Sequence, residues 1–462
     1  MTIRRILIAN RGEIAVRIIR TCRDLGIETV LAASEADLDA VPARLADRTI
    51  CVGAPQSSVS YLNVKAVVSA AVMAEADAIH PGYGFLSENV RLARSAREHG
   101  LIFIGPTDAN LEAVGDKLRA RAHALEAGLP LAPGGAVDAP DRAVALAGTI
   151  GWPVLVKAVG GGGGRGLKLV TEPSCLVEAV ELAMAEAGSA FGDSRVYLER
   201  FVASGRHVEV QIIGDGESVI HVGDRDCSVQ RRYQKLIEEA PAPDLPDRIR
   251  ETMREAAVAF GRQLNYLGLG TVEFLYDRER EAFYFLEMNA RIQVEHPVTE
   301  AITGLDLVAE QIAIAEGRKL RLRPDDIRFD GCAIECRLNA EDWTEDFRPS
   351  PGIVETARFP AGPGVRVDTH VEAGSRISPF YDSLMAKIIV RGEDRKAAIG
   401  RLRSALAVCD VSGVKTNRDM HRALLADGEF AEGGVDTAYF ARFLDSHGRS
   451  GAIGPAARPG PA

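Results

Sequence analysis

The sequence predicts a mixed α/β and α+β protein with an N-terminal doubly wound parallel sheet, a central domain with a mobile glycine-rich lid, and a C-terminal mixed domain. Short apolar strands alternate with helical patterns up to about residue 115, and five consecutive glycines separate two later strands. Further on, one apolar strand carries polar and ionic side chains at every second position. At 462 residues the chain is long enough for two or three domains with substantial cores.

The N-terminal region alternates strands and helices. Its apolar strands RRILIA, IETVLAA, ADAIH and LIFIG are separated by helical patterns around residues 13–25, around 64–75 and before the last strand. This alternation is typical of a parallel sheet, whose ligands bind at the carboxyl ends of the strands, where Ala9–Glu13 and His80–Asn89 fall. No G-x-G-x-x-G follows the first strand, so a dinucleotide site is only weakly indicated. We expect these two loops to shape a cleft.

The glycine run of the central region, Gly160–Gly164, lies between two strands and follows Lys157. Glycines let backbone N–H groups approach phosphate oxygens closely and let a loop move. The run leads into a strand and lacks G-K-[ST], so it is not a P-loop. It predicts a hinged flap that closes over a triphosphate, with Lys157 as a point charge, whereas a flexible linker is the alternative.

The next two strands carry weaker signals. YLERFV, residues 197–202, could offer a backbone edge to a purine, although Glu199 could equally be an exposed strand charge. In RHVEVQII, His207, Glu209 and Gln211 alternate on one face. That pattern is consistent with a structural histidine and equally with a phosphate or ribose contact.

A basic cluster follows in DCSVQRRYQKLIEEAP, which contains Arg231, Arg232 and Lys235 and then turns acidic at Glu238 and Glu239. In a chain of net charge -10, such a cluster favours a small anion over nucleic acid. A solvated basic loop is the alternative.

The ionic strand is the most informative segment. If the strand is regular, four side chains lie on one face: Glu287, Asn289, Arg291 and Gln293. A hairpin that pivots near Arg280 would place Glu273 opposite Glu287, and two like charges across a strand pair cost up to about 1 kcal/mol. Carboxylate and amide oxygens suit Mg²⁺, and an arginine suits an oxyanion. The pattern predicts a metal-nucleotide site beside an anion site, and a solvated, self-neutralising face is the alternative.

Composition restricts the compartment and the partners. No apolar run approaches the length of a bilayer span, and the N-terminal segment MTIRRILIANRGE reads as a strand rather than a signal peptide. The seven cysteines form no C-x-x-C pair, which is typical of reduced thiols in a cytoplasmic protein. We therefore expect no membrane partner and no nucleic-acid partner.

Together these segments resemble the ATP-grasp superfamily and, more closely, the biotin carboxylase component of biotin-dependent carboxylases of the acetyl-CoA carboxylase type. The resemblance covers nearly the whole chain through IANRGEIAVRIIR, HPGYGFLSEN, GDK, KAVGGGGGRG, RHVEVQ, DCSVQRRYQK, GTVEF, EMNARIQVEHPVTE, ECRLNAED, SPGIV and YDSLMAKIIV. It implies a Rossmann-like domain at 1–115, an ATP-grasp domain at 116–317 with its lid at about 130–203, and a C-terminal domain at 331–445. A disordered tail is expected at 447–462, which is rich in Gly, Ala and Pro.

The resemblance also implies roles for individual residues. ATP would be held by Lys117, Lys157, Gly163, Gly164, Glu199, Arg200, Phe201, Val202, His207, Gln230, Tyr233, Glu273 and Glu287. Two Mg²⁺ or Mn²⁺ ions would be bound by Glu273, Glu287 and Asn289. Bicarbonate would be bound by Lys235, Arg291, Gln293 and the backbone of Val294. Glu295 would be the base and Arg337 would stabilise the biotin enolate, so that the implied catalytic set is Arg291, Glu295, Lys235 and Arg337.

The activity implied by the resemblance is the ATP-dependent carboxylation of biotin by bicarbonate through carboxyphosphate. No Met-Lys-Met occurs, and Lys387 in LMAKII sits in an apolar strand, so biotin is expected on a separate biotin carboxyl carrier protein. The resemblance further implies a carboxyltransferase on another chain, a homodimer, and acetyl-CoA as acceptor in fatty acid synthesis, ahead of propionyl-CoA or pyruvate. Two alternatives remain: an ATP-grasp ligase that forms an amide or carbamoyl phosphate, and a non-catalytic nucleotide-binding protein.

Two positions depart from the family pattern. Tyr233 stands where histidine is frequent, and a phenol can donate to phosphate but stays neutral. Ala290 stands where threonine is frequent, and strand parity places it off the ionic face. We expect the first departure to affect ATP binding and the second to have little effect.

Overall fold

The computed structural model describes residues 2–159 and 167–448. The predicted glycine flap, including Gly163 and Gly164, lies outside the described residues. The predicted tail begins two residues too early, because the last helix continues to Gly448. The remainder of that tail, 449–462, also lies outside the described residues.

The N-terminal unit is the parallel sheet that the strand–helix alternation predicts. Its elements are β1 Arg5–Ile8, α1 Gly12–Asp24, β2 Glu28–Ser34, α2 Val41–Leu45, β3 Arg48–Gly53, α3 Val64–Met73, β4 Ala78–His80, α4 Val90–Glu98, β5 Ile102–Phe103 and α5 Asp108–Gly115. The strands pair in parallel in the order β3-β2-β1-β4-β5. Strand β3 was not anticipated, since it lies at the sheet edge and only Val52 of it is fully buried.

The second unit is a four-stranded antiparallel sheet with two helices against it. Its elements are α6 Lys117–Glu126, β6 Gly134–Val137, α7 Pro140–Ile150, β7 Val154–Ala158, β8 Leu167–Val170, α8 Leu176–Phe191 and β9 Val196–Arg200. The order is β6-β9-β7-β8, so β9 is an inner strand paired on both sides. The backbone of β9 up to Arg200 therefore has no free edge for a purine, so the prediction of a purine-facing edge is wrong for these residues. The next N–H, that of Phe201, donates to the Pro153 carbonyl at 2.9 Å.

The next segment consists of five strands and three helices. They are β10 Gly205–Asp215, β11 Val219–Arg231, β12 Gln234–Ala240, α9 Asp247–Gln263, β13 Leu267–Asp277, β14 Ala282–Asn289, α10 His296–Thr303 and α11 Leu307–Ala315. Helix α9 packs the apolar side chains Met253, Ala257 and Phe260 into the core beneath β10 and β11.

The last segment combines short strands with two long strands, β15 and β22, and four helices. Its elements are β15 Cys332–Asn339, β16 Glu341–Asp342, β17 Arg348–Pro349, β18 Gly352–Ile353, β19 Thr356–Arg358, β20 Val365–Thr369, β21 Arg376–Ile377, β22 Leu384–Gly392, α12 Arg395–Val408, β23 Asp410–Ser412, α13 Arg418–Ala426, α14 Gly428–Glu432 and α15 Tyr439–Gly448. No helix in the described part of the chain combines the length and apolarity needed to cross a membrane.

One eight-stranded sheet joins these last two segments. Its order is β14-β13-β10-β11-β12-β15-β22-β20, and β12 pairs with β15 from Ile237 opposite Cys336 to Ala240 opposite Ala333. Side chains from strands far apart in sequence therefore meet on a single surface. The ionic residues of the predicted site lie on this sheet and on the loop that leaves β14.

Candidate active site

The β13–β14 hairpin brings two acidic side chains together. It turns through residues 278–281 and places Glu273 directly opposite Glu287, as the sequence predicts. Burial and the neighbouring Glu273 carboxylate raise the pKa of Glu287, whereas Lys117 opposes that shift. The Asn289 amide donates to Glu273 Oε1 at 2.9 Å. A buried carboxylate, a half-buried one opposite it and an amide oxygen beside them fit a divalent cation, which would relieve the repulsion between the acids.

Strand parity does not explain the other two members of the predicted ionic face. Strand β14 ends at Asn289, so the prediction that Arg291 and Gln293 continue its face is wrong. Both side chains nevertheless lie beside Asn289, because Arg291 links Asn289 to Gln293. Its Nη2 donates to Asn289 Oδ1 at 2.7 Å and its Nη1 to Gln293 Oε1 at 2.8 Å. Arg291 Nε also donates to Glu88 Oε2 at 2.9 Å, a partner from the loop after β4 that sequence reasoning missed.

Lys235 is the hub of the site. Its ammonium lies 2.6 Å from Glu209 Oε2, 3.1 Å from Glu273 Oε1 and 2.5 Å from Glu295 Oε1. Burial alone would lower the pKa of Lys235, but the surrounding acidic groups raise it well above its ordinary value. The lysine is therefore cationic, and it holds together three carboxylates from three different elements.

Glu295 lies immediately before helix α10 and is fully buried. Its Oε1 contacts Lys235 and its Oε2 accepts from Arg337 Nη2 at 3.0 Å. Burial would raise the pKa of Glu295, but Lys235 and Arg337 hold it well below the usual value. The carboxylate is ionised at neutral pH, and a bound anion that drew those two cations away would make it a stronger proton acceptor.

Arg337 on β15 is held by a second buried acid, Glu238 on β12. Arg337 Nε donates to Glu238 Oε1 at 2.6 Å. Burial, aided by the neighbouring Glu295 carboxylate, raises the pKa of Glu238 to about 7 although Arg337 opposes the shift. Arg337 therefore connects a carboxylate that stays ionised to one that titrates near neutrality.

This arrangement predicts a specific pH dependence of stability. Between the ordinary carboxyl pKa of 4.5 and about 7, folded Glu238 holds a proton that the unfolded chain has lost. The stability contributed by Glu238 is thus full below the lower value and is lost as pH rises through the upper one. We expect the free energy of unfolding of wild type minus that of Glu238→Gln to fall by up to roughly 3 kcal/mol over this window. Urea unfolding at successive pH values measures it, and a pH-independent difference would contradict the assignment.

The residues predicted to hold the nucleotide lie between the second unit and the large sheet. Lys157 Nζ is 3.0 Å from Glu199 Oε2. Burial lowers the pKa of Lys117, with Glu287, Lys157 and Glu199 as its charged neighbours. His207 Nε2 lies 3.0 Å from Glu273 Oε2. Burial lowers the pKa of His207, but the Glu273 carboxylate leaves it raised overall. Lys117 at the start of helix α6 therefore stands beside the predicted metal ligand Glu287, whereas Lys157 on β7 pairs with Glu199.

The other predicted nucleotide contacts are more dispersed. Arg200 Nη2 donates to the Tyr284 hydroxyl at 3.0 Å, and Val202 and Gln230 are buried. Tyr233 is 53% exposed at the tip of the β11–β12 hairpin, with a φ of +67°. Phe201 follows directly after β9. Tyr233 is therefore oriented by a two-residue turn that requires positive φ rather than by packing.

The three side chains of the basic cluster do not converge on one point. Lys235 turns into the site, whereas Arg231 Nη2 lies 2.5 Å from Asp346 Oδ1 and Arg232 Nη2 lies 3.1 Å from Asp346 Oδ2. The tight hairpin turn at 232–233 separates the two sets of side chains. Two of the three cations therefore fasten the hairpin tip to the C-terminal region.

Arg225 is a site residue that sequence reasoning missed. Fully buried, it donates through Nε to Glu209 Oε1 at 2.6 Å and through Nη1 to Gln211 Oε1 at 2.9 Å. Glu209 and Arg225 are directly paired on β10 and β11. The β10–β11 register would have revealed this pairing. Two clusters of side chains could by their spacing hold a metal: His207–Glu209–Glu273 and Glu209–Cys227–Glu295. Both contain Glu209, whose charge is already balanced by Arg225 and Lys235.

A cleft of about 370 Å³ opens beside the site. Its lining includes residues 10–14 after β1 and residues 83–85 after β4, the two loops predicted to shape a cleft, together with His370, Tyr381 and Asp382 from the C-terminal region. The cleft therefore lies between the N-terminal sheet and the C-terminal segment.

Three family models match successive parts of the chain. "Biotin carboxylase, N-terminal domain" matches residues 2–111, "Carbamoyl-phosphate synthase L chain, ATP binding domain" residues 116–323, and "Biotin carboxylase C-terminal domain" residues 335–442. Their order along the chain is that of the parallel sheet, the segment with the ionic strand, and the last segment.

Relatives match over nearly the same length. A biotin carboxylase of Nostoc sp. is 49% identical over 438 residues, which cover 94% of this chain and 98% of that protein. One of the pyruvate carboxylase subunits of Methanothermobacter thermautotrophicus is 47% identical over 448 residues, covering 96% and 90%.

Two solved structures share the fold and the sequence. A biotin carboxylase–β,γ-ATP complex from Campylobacter jejuni has a TM-score of 0.93 at 44% identity and covers 96% of this chain and 99% of that one. The biotin carboxylase domain dimer of 2-oxoglutarate carboxylase from Hydrogenobacter thermophilus, solved with MgADP, ADP and bicarbonate, has a TM-score of 0.91 at 43% identity and covers 97% and 98%. The chain belongs to the biotin carboxylase family, and it is an ATP-dependent ligase built on the ATP-grasp fold.

Proposed function

We propose that this enzyme carboxylates biotin with bicarbonate and ATP, that carboxyphosphate is the intermediate, and that the predicted site residues carry the reaction. The observation that supports the proposal is the position of Glu295, an ionised buried carboxylate held between Lys235 and Arg337. Glu273 contacts the same lysine, and Glu287 lies opposite Glu273 across the hairpin. A base, an anion site and a metal-nucleotide site are therefore contiguous.

The chemistry follows from that contiguity. Bicarbonate is held by Lys235, Arg291, Gln293 and the Val294 N–H, and Glu295 accepts its proton. The resulting oxyanion attacks the γ-phosphorus of ATP, ADP leaves, and carboxyphosphate forms. Carboxyphosphate then splits into CO₂ and phosphate, and the phosphate accepts the ureido N–H proton of biotin. Arg337 stabilises the enolate oxygen while the biotin nitrogen bonds to CO₂.

The donor set also suits the proposed metal. Glu273, Glu287 and Asn289 would hold Mg²⁺ or Mn²⁺, which neutralises charge on the transferring phosphoryl group when bound. Lys117 and Lys157 supply further positive charge on the nucleotide side. The Hydrogenobacter structure that contains MgADP and bicarbonate supports this arrangement.

Phosphate release from ATP by the purified protein tests the reaction. We expect release to require bicarbonate and to rise with free biotin. Release that is indifferent to both would contradict the proposal. Release stimulated by ammonium instead of biotin would indicate a ligase that forms a carbamoyl or amide product.

Substitution of Tyr233 by histidine is expected to preserve the reaction and to change mainly the Michaelis constant for ATP. The side chain is exposed at a hairpin tip, so histidine can replace it without repacking, and it adds a group that can carry positive charge near phosphate. Initial rates at varied ATP should show a change in this constant below about tenfold, since one exposed contact is altered. An inactive variant would contradict the expectation.

We also propose the setting in which the enzyme works: in the cytoplasm as a homodimer, with a biotin carboxyl carrier protein and a carboxyltransferase on other chains. Seven free cysteines support a reducing compartment, and the dimer in the Hydrogenobacter structure supports the homodimer. Light scattering of the purified protein tests the dimer. A monomeric, fully active protein would contradict it.

Acetyl-CoA is the proposed final acceptor, with a role in fatty acid synthesis. The free-standing biotin carboxylase of Nostoc supports this choice, whereas the pyruvate and 2-oxoglutarate carboxylase relatives support oxo-acid acceptors. Labelled bicarbonate in an extract of the source cells, before and after depletion of this chain with an antibody, separates the options. Depletion should abolish label transfer to acetyl-CoA, and loss of transfer only to propionyl-CoA or an oxo acid would overturn the proposal.

A further inference from the structure

Lys387, on strand β22, is a fully buried lysine that the proposed reaction does not use. Its Nζ donates to the Val294 carbonyl at 2.8 Å and lies 3.1 Å from Glu13 Oε1. It lies in the apolar strand segment LMAKII, where a charge is costly unless it is paired and hydrogen-bonded. Its partners come from the first turn of α1 and from the loop after β14, so one side chain links three parts of the chain.

The charge of Lys387 is balanced by its surroundings. Asp368 on β20 is its ladder partner, with Oδ2 4.0 Å from Nζ. Glu13 is itself held by the Tyr83 hydroxyl, which donates to the same oxygen that faces Lys387. These contacts orient the lysine, but only the contact with Val294 reaches the proposed bicarbonate site.

The turn 293–295 is also contacted from β15, the strand next to β22. Arg337 is the ladder partner of Lys387 on β15, and its Nη2 donates to Glu295 Oε2 at 3.0 Å. Adjacent residues of β22 and β15 therefore contact the consecutive residues Val294 and Glu295. The preceding carbonyl, that of Gln293, lies 2.7 Å from His296 Nδ1. Both peptide groups around Val294 are thus fixed from outside the turn.

We propose that Lys387 is a positioning residue for bicarbonate. By donating to the Val294 carbonyl, it sets the orientation of the turn 293–295, which presents the Val294 N–H to the anion and Glu295 to its proton. This inference rests on the proposed function, because the roles of Val294 and Glu295 belong to it. A lysine that served only to neutralise Glu13 would have no need of the Val294 carbonyl.

Matched variants separate positioning from the burial of charge. Lys387→Met removes the charge and the donor at nearly constant length. The double variant Lys387→Met with Glu13→Gln also removes the unpaired acid. Arg395→Met is the control, since it leaves the buried Glu239, whose Oε2 accepts from Arg395 Nε at 2.6 Å, without an arginine partner and does not touch the turn.

Bicarbonate and ATP are varied separately in assays of phosphate release with free biotin, and thermal midpoints are recorded for each variant. We expect Lys387→Met to raise the KM for bicarbonate about tenfold, as loss of one charge-assisted hydrogen bond implies, and to leave the KM for ATP within about twofold. The double variant should regain thermal stability and keep the raised KM for bicarbonate. Arg395→Met should lose stability with an unchanged KM for bicarbonate.

The inference is overturned if Lys387→Met keeps the wild-type KM for bicarbonate, if the double variant restores this constant together with stability, or if Arg395→Met raises it as much. If Lys387→Met alone does not fold, the double variant decides by the same criterion. A wild-type enzyme whose phosphate release ignores bicarbonate would instead overturn the proposed function, and this inference with it.

Discussion

Replacement of Glu295 by glutamine is expected to abolish bicarbonate-dependent phosphate release while nucleotide binding stays nearly intact. Glutamine keeps the size of the side chain and an oxygen that can accept from Arg337, but it has no proton-accepting carboxylate. Loss of a general base costs about 10²–10⁴-fold in rate. Because Glu295 is not among the predicted metal ligands, calorimetric titration with ATP and Mg²⁺ should show little change in affinity.

Glu239→Gln is a matched control for Glu295→Gln. Glu239 is also a buried acid paired with an arginine, Arg395, but it contacts none of the proposed reacting groups. It should retain bicarbonate-dependent release. Weakened ATP affinity in Glu295→Gln would show that this side chain serves the nucleotide, and retained activity would show that it is not the base.

Replacement of Lys235 by methionine is expected to cause a large loss of both activity and stability. It leaves Glu209, Glu273 and Glu295 converging on a buried point without their shared cation. Removal of one partner from a buried ion pair costs about 3–5 kcal/mol. Chemical unfolding measures this loss, and phosphate release should fall by at least about 10²-fold, because electrostatic stabilisation of the reacting anion is lost as well.

The pH response distinguishes this mechanism from simple loss of packing. Lys235 helps to hold the pKa of Glu295 below its usual value in the wild type. Without the lysine the three acids should take up protons more readily, so part of the lost stability should return as pH falls. The surface pair Lys168 and Glu186, 3.0 Å apart, provides the control, and Lys168→Met should cost below about 1 kcal/mol at any pH. A Lys235→Met loss that is equally small would contradict the hub.

Local patterns were sufficient for much of the fold. The parallel N-terminal sheet follows from strand–helix alternation, because parallel strands need crossover helices. The opposition of Glu273 and Glu287 follows from one short turn, because register within a hairpin is set by turn length. The edge strand β3 was not predicted, because its half-exposed residues show neither the strand periodicity of two nor the helical periodicity of 3.6 clearly.

The site itself depended on longer-range structure. The predicted alternation of side chains does not continue beyond Asn289, because β14 ends there. Hydrogen bonds from Arg291, and not strand geometry, hold Asn289 and Gln293 together. The inner position of β9 could not be read from YLERFV, because sheet order depends on strands distant in sequence. Resemblance to the family supplied the proposed roles of Glu295 and Arg337, which no local pattern had indicated.

The sequence by itself thus determined the class of fold, the family, the hairpin of acids and the types of side chain available for chemistry. Only the tertiary structure decided which charges meet. Lys235 points away from Arg231 and Arg232 and contacts three carboxylates. Lys387, although it lies in an apolar strand, donates to the Val294 carbonyl. The physical reason is that periodicity reports the direction of a side chain within its own element. The partner of a buried charge is set by how distant strands pack, since burial is tolerated only where opposite charges and hydrogen bonds converge.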